Sequence, residues 1–344
     1  MRLAFCSILL LALAFVLLSY YVSQPLKEGR RVDFKPIIAD RDIALTFARS
    51  PLGLILVTEH LGDAIRGINL SASYGEEQTK DLINFLALTD RDVLIALDAA
   101  EERFDLNSLI MPISYSPPSI AAGTNFKEHA DEVYSEDPPF LFPKITPASN
   151  WNANVPFLPR LDYEAELCLF PLSDITTERQ TAEFGLVLCN DFTDRLTLIR
   201  EIDLGAPLGL TGFASGKGCE GCLPTGYLAV IPQSETFYLS VELTLFVNDE
   251  LRQSFRMRDI IMPIEDIVDQ ALHSHGTQYT KGKDQIPLMP GETISQGTLI
   301  LTGTAAGVLF KPLNIWNQSF YLQPGDDVRT EATFLGHLEN KIVD

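Results

Sequence analysis

The chain has 344 residues, with 26 Lys+Arg against 46 Asp+Glu and a formal charge of −20. Its hydrophobic share of 46% and charged share of 21% are those of a globular protein and exclude wholesale disorder. The acidic balance excludes nucleic acid as a partner, and five cysteines are too few for a disulfide-built scaffold.

Leu3 to Val22 is an uncharged apolar run closing on Tyr20-Tyr21. As a helix it would extend roughly 30 Å, the thickness of a bilayer's hydrocarbon core. It therefore predicts a single-pass N-terminal membrane anchor, continued by a polar linker to residue 35. Lys27, Arg30 and Arg31 outnumber Arg2, which leans towards a cytoplasmic body. The short tail before the run leans the other way, and we take an exported, periplasmic body as the slight preference.

Residues 36–110 read as a small N-terminal α/β module. An apolar stretch at Leu52 to Val57 precedes a helical pattern at Leu82, Ile83, Phe85 and Leu86. From residue 111 to 344 short β-like runs alternate with Gly and Pro, as in LDYEAELCLF, EFGLVLCND and GTLILTGT. This texture predicts a β-rich second domain and an α+β chain.

The chemistry-bearing residues lie in that second part. Glu164 and Glu166 alternate along a strand and share one face, opposite Tyr163, Ala165, Leu167 and Leu169. Asp191 ends the apolar strand Phe184 to Cys189. Three carboxylates without Cys or His suit Mg²⁺ or Mn²⁺, with Ca²⁺ a third option. Within Gly123 to Glu132, a helix would bring His129 and Glu132 together as a water-activating dyad. Lys217 and the Gly-rich run Thr302, Gly303, Thr304 can anchor a substrate carboxylate. Taken singly, these have plainer readings as a solvated strand face and a charged turn. Cys219-x-x-Cys222 reads first as two unpaired thiols, with a local disulfide or half a zinc site as alternatives. Cys168 and Cys189 read as small apolar packing behind the carboxylates.

In order, the segments resemble the fumarylacetoacetate hydrolase family. The likeness is carried by Gly123 to Glu132, Phe142-Pro143-Lys144, Asp162 to Leu167, and Asn190-Asp191 with Arg195. It continues through Lys217 to Gly226, Val247 to Gln253, Thr302 to Val308, and Gly325-Asp326 to Asn340. The resemblance implies a β-sandwich roll as the catalytic domain, in a homodimer. It implies a divalent cation on Glu164, Glu166 and Asp191, with His129, Glu132 and Lys217 catalytic. Arg195, Thr302, Gly303 and Thr304 would bind substrate. The expected activity is C–C hydrolysis of an acylpyruvate-like oxo acid. The alternatives are a decarboxylase or isomerase of the same family, or a non-catalytic binding module. Leu196, Leu198, Glu220, Tyr227 and Ala305 depart from the family pattern, which puts the substrate in question.

Overall fold

The structure is a computed structural model that describes residues 2–26, 29–31, 36–115, 117–178 and 183–344. Lys27 and residues 32–35 of the expected linker lie outside the described residues. The elements that position the site are, in chain order, α1 (Arg2–Val22), β1 (Ala44–Ser50), β2 (Gly53–His60), β3 (Ala64–Asn69), α2 (Leu82–Leu88), β4 (Glu101–Asp105), β5 (Ser119–Gly123), α3 (Lys127–Glu132), β6 (Phe140–Lys144), β7 (Ala165–Pro171) and β8 (Phe184–Asn190). They continue with α4 (Arg195–Glu201), α5 (Phe213–Gly216), β9 (Ala229–Pro232), β10 (Glu242–Val247), β11 (Glu250–Arg256), α6 (Ile264–His273), β12 (Ile300–Leu301), β13 (Asp327–Ala332) and β14 (Gly336–Val343).

Two sheets dominate. The larger runs β4-β3-β2-β1-β9-β8-β7-β12-β5-β6, so the strands of residues 44–105 extend the sheet that carries the catalytic segments. The smaller runs β11-β10-β13-β14. This sheet-rich α+β architecture agrees with the predicted class. The β7 strand is buried along its whole length, and its apolar residues Ala165, Leu167 and Leu169 are sealed in the core between the sheets. The helical pattern at residues 82–86 folds as α2, capped by Asp81, whose side chain accepts from the Asn84 N–H.

The expected membrane anchor is not met. Among the described residues no helix is long and apolar enough to cross a membrane. The end of α1 is also committed to protein contacts. Ser19 is fully buried, donates to the Leu313 carbonyl at 2.6 Å and accepts from Trp316 Nε1 at 3.0 Å. Phe15 packs on Trp316 and Tyr20 on Phe320, with ring centroids 6.1 and 6.2 Å apart. The membrane partner, the single-pass location and the preference for an exported body all rested on the anchor and fall with it. Tyr20 touches the body through Phe320, although both tyrosines stay exposed.

Candidate active site and metal centre

The β7–β8 hairpin pair assembles the carboxylates. Its antiparallel ladder ends at Ala165 opposite Asn190, so Glu164 precedes β7 at the point where Asp191 follows β8. The Asp191 N–H donates to the Glu164 carbonyl at 2.9 Å. Asn190 Oδ1 accepts from the Glu164 N–H at the same distance. Strand alternation then puts Glu166 beside Glu164. Carboxylate oxygens of Glu164, Glu166 and Asp191 lie within 4.8 Å of one another, and all three residues are buried.

Cationic side chains surround the trio. Lys217 Nζ donates to Glu164 Oε2 at 2.7 Å, Asp191 Oδ2 at 2.8 Å and Thr193 Oγ1 at 3.0 Å. Arg195 bridges Asp162 Oδ2 at 2.8 Å and Glu164 Oε1 at 2.6 Å. Lys144 Nζ forms a buried ion pair with Asp191 Oδ1 at 2.6 Å. Burial alone would raise Glu164, yet Lys217 and Arg195 hold its carboxyl below the usual carboxylate range. Glu166 goes the other way. Burial, then the neighbouring Asp191 and Glu164 charges, push it well up, and a single hydrogen bond from the Gly303 N–H at 2.7 Å does not compensate.

These features fit a hard divalent cation. With all four buried carboxylates (Asp162, Glu164, Glu166 and Asp191) ionised, as a bound cation would hold Glu166, they face three cationic groups (Lys144, Arg195 and Lys217) and leave one negative charge. A dication together with a monoanionic substrate would cancel it. The all-oxygen donor set is the one such ions select.

The predicted dyad forms on α3. His129 Nδ1 lies 3.3 Å from Glu132 Oε2, and both side chains are buried. Glu132 also accepts from the Gly307 N–H at 3.0 Å and from Lys311. Burial would raise its carboxyl, but the bond to His129 and the Lys311 charge hold it down, so it stays ionised. His129, Glu164, Arg195, Lys217 and Thr304 line one cavity of about 580 Å³. Thr302 and Gly303 stand behind that wall. The Thr302 hydroxyl donates to the Leu167 carbonyl at 2.8 Å, and Gly303 serves Glu166. Thr304 reaches the cavity, but its hydroxyl donates to the Ala165 carbonyl and accepts from Gln253 Nε2.

A sequence model of the fumarylacetoacetate (FAA) hydrolase C-terminal domain matches residues 119–343. The chain belongs to the fumarylacetoacetate hydrolase family. An uncharacterised protein of Staphylococcus aureus (strain USA300) is 26% identical over 280 residues, covering 77% of this chain and 83% of its own. Among solved structures, the fumarylacetoacetate hydrolase of Exiguobacterium antarcticum aligns with a TM-score of 0.58 at 20% identity, over 88% of this chain and 99% of that one. A maleylpyruvate hydrolase from Sphingobium sp. SYK-6 gives 0.56 at 20%, over 87% and 99%. A 5-carboxymethyl-2-hydroxymuconate delta-isomerase from Mycobacterium smegmatis gives 0.54 at 19%, over 88% and 99%.

Three residues of this fumarylacetoacetate hydrolase-family chain escaped the sequence reading as site members. Lys144 and Asp162 lay inside motifs whose outward signal was only the pattern. Asp162 in fact organises the loop above the site, accepting from the Leu309 and Phe310 N–H groups at 2.8 and 3.0 Å as well as from Arg195. Lys311 carried no signal at all, because its partner Glu132 is far away in sequence. The cysteines also differ from expectation. Cys219 and Cys222 form a disulfide, and the sulfurs of Cys168 and Cys189 meet in bonding contact across β7 and β8. Strand register explains the second pair: Cys168 is opposite Val187 and Cys189 opposite Glu166, diagonal neighbours on one ladder.

Proposed function

We propose that this chain is a divalent-cation-dependent hydrolase that cleaves the C–C bond of a 2,4-dioxo acid, an acylpyruvate-like substrate. The observation that carries the reading is the shared cavity, whose lining brings His129, held by Glu132, together with Glu164 and Lys217. Two proteins of similar fold are a fumarylacetoacetate hydrolase and a maleylpyruvate hydrolase, which supports a hydrolytic reading.

A divalent cation on Glu164, Glu166 and Asp191 would supply Lewis-acid polarisation of the 2-oxo group. His129, held by ionised Glu132, removes a proton from water as the oxygen attacks the 4-carbonyl carbon. The bond between C3 and C4 then breaks, and its electron pair stays on C3. A carboxylic acid departs from one side and the enolate of pyruvate from the other, and C3 takes up a proton. The ammonium of Lys217 places positive charge beside the substrate carboxylate and the developing oxyanion. Arg195 keeps Glu164 and Asp162 in place throughout.

The test is turnover of acylpyruvates after chelator treatment, with and without restored Mg²⁺ or Mn²⁺. Cation-dependent release of pyruvate is the expected result. Cation-dependent binding without turnover would favour a binding module instead.

A further inference from the structure

We infer that the substrate is a monocarboxylate whose acyl group is large and apolar, an alkyl chain or an aromatic ring. This deepens the acylpyruvate reading and rests on it.

The cavity has two unlike ends. Its charged groups gather at one end, where Glu164, Arg195 and Lys217 already pair with one another. Along α4, Arg195, Leu198 and Ile199 share one helical face at i, i+3 and i+4, and with Ile202 just past the helix end they line the cavity. Phe140 and Phe213 add to the apolar lining, edge to face with centroids 4.9 Å apart. The apolar lining continues to a rim where Leu204 is 91% and Tyr134 73% exposed.

Arg195 and Lys217 are the only arginine and lysine among the described lining residues, and both are spent at the head. A second carboxylate on the substrate would thus be desolvated without a cation, and exposed Asp137 at the rim would repel it. The charge balance of the head also asks for one negative charge from the substrate. Leu198 lines the cavity one helical turn from Arg195, where the apolar lining meets the charged end, which makes it the residue to alter. A volume of about 580 Å³ lies within the range of sites that enclose whole small ligands.

The experiment measures kcat/KM for 2,4-dioxo acids with tails from methyl to heptyl, with phenyl, and with a tail ending in a carboxylate. In parallel, calorimetry measures binding of non-cleavable 2-oxo acids with the same tails in the presence of Mn²⁺. Both quantities should rise about fourfold per added methylene until the cavity is filled, and the dicarboxylate should lag its alkyl counterpart. Leu198→Gln should flatten the dependence. Flat dependence on tail length, or preference for the dicarboxylate, would overturn the inference. Tail-dependent binding with no cleavage would sink the hydrolase reading and leave the apolar acyl group standing. Cleavage without tail dependence would do the reverse.

Discussion

Lys217 Nζ lies 2.7 Å from Glu164 Oε2, so a carboxylate suited to a metal is already neutralised by an ammonium. The same nitrogen reaches Asp191 Oδ2 at 2.8 Å. Burial would lower this lysine, but Asp191 and Glu164 raise it and keep it charged. Lysine and dication therefore compete electrostatically for the same two carboxylates. Lys217→Met should tighten Mn²⁺ binding by roughly tenfold or more, since a unit charge a few ångströms away is worth several kcal/mol at a buried site. Turnover should fall in the same variant. Calorimetric titration with Mn²⁺ reads the first effect, and weaker binding would contradict it.

The residues of the dyad and the trio should fail differently when altered. His129→Ala is expected to lower turnover by about 10²–10⁴-fold while leaving cation affinity nearly unchanged. Glu132→Gln should cost less, because the imidazole remains and only its orienting charge is lost. Glu164→Ala should weaken cation binding and turnover together. Loss of the cation in His129→Ala would show that the two roles were assigned wrongly.

Gly307 ties the dyad to the fold. Its φ of 111° is a conformation that favours glycine, and a Cβ there would collide with the Arg252 carbonyl. Its N–H is one of the donors that hold Glu132. Gly307→Ala should therefore destabilise by more than about 1 kcal/mol and lower kcat in the fraction that folds. Thermal melting together with kcat per folded molecule checks this. Wild-type values for both would remove the claimed link.

A pH dependence of stability follows from a pair of histidines away from the site. Tyr227 Oη lies 2.7 Å from His60 Nε2 and 3.2 Å from His337 Nδ1. The Gly62 N–H donates to His60 Nδ1 at 3.1 Å, so Nε2 carries the proton, His60 donates to Tyr227, and Tyr227 donates to His337. Burial first and Arg329 second lower His60 from 6.5 to about 4 and His337 to about 2. Between those values and 6.5 the unfolded chain binds the more protons. Their contribution is thus fully present above about pH 6.5 and is lost as pH falls towards 4 and below. Melting temperature should decline across that window, and His60→Gln should shallow the slope. An identical slope in the variant would show that other groups set it.

What the residues determined by themselves was local. Strand alternation put Glu164 and Glu166 on one side of a buried strand and Tyr163, Ala165 and Leu167 on the other. The i,i+3 spacing made His129 and Glu132 neighbours once α3 formed. The order of the short segments from Gly123 to Asn340 carried the family, and with it the sheet-rich architecture. These features follow from backbone geometry, which repeats over two to four residues and so shows in the pattern.

Everything that depended on which surfaces meet was decided by the tertiary structure. The Lys144 ammonium meets Asp191 although β6 and β8 stand four places apart in the sheet order, a closeness that neither strand signals. Lys311 reaches Glu132 only because the loop after β12 folds over α3. Cys168 and Cys189 meet through a register that neither strand specifies alone. The N-terminal run shows the same limit most plainly. Hydropathy measures how strongly a segment avoids water and does not say what shields it, so the run at Leu3 to Val22 reads as a lipid anchor. In the folded chain Ser19 is buried against Leu313 and Trp316, and Phe15 and Tyr20 touch Trp316 and Phe320, nearly 300 residues away, while the described apolar side chains of the run stay largely exposed.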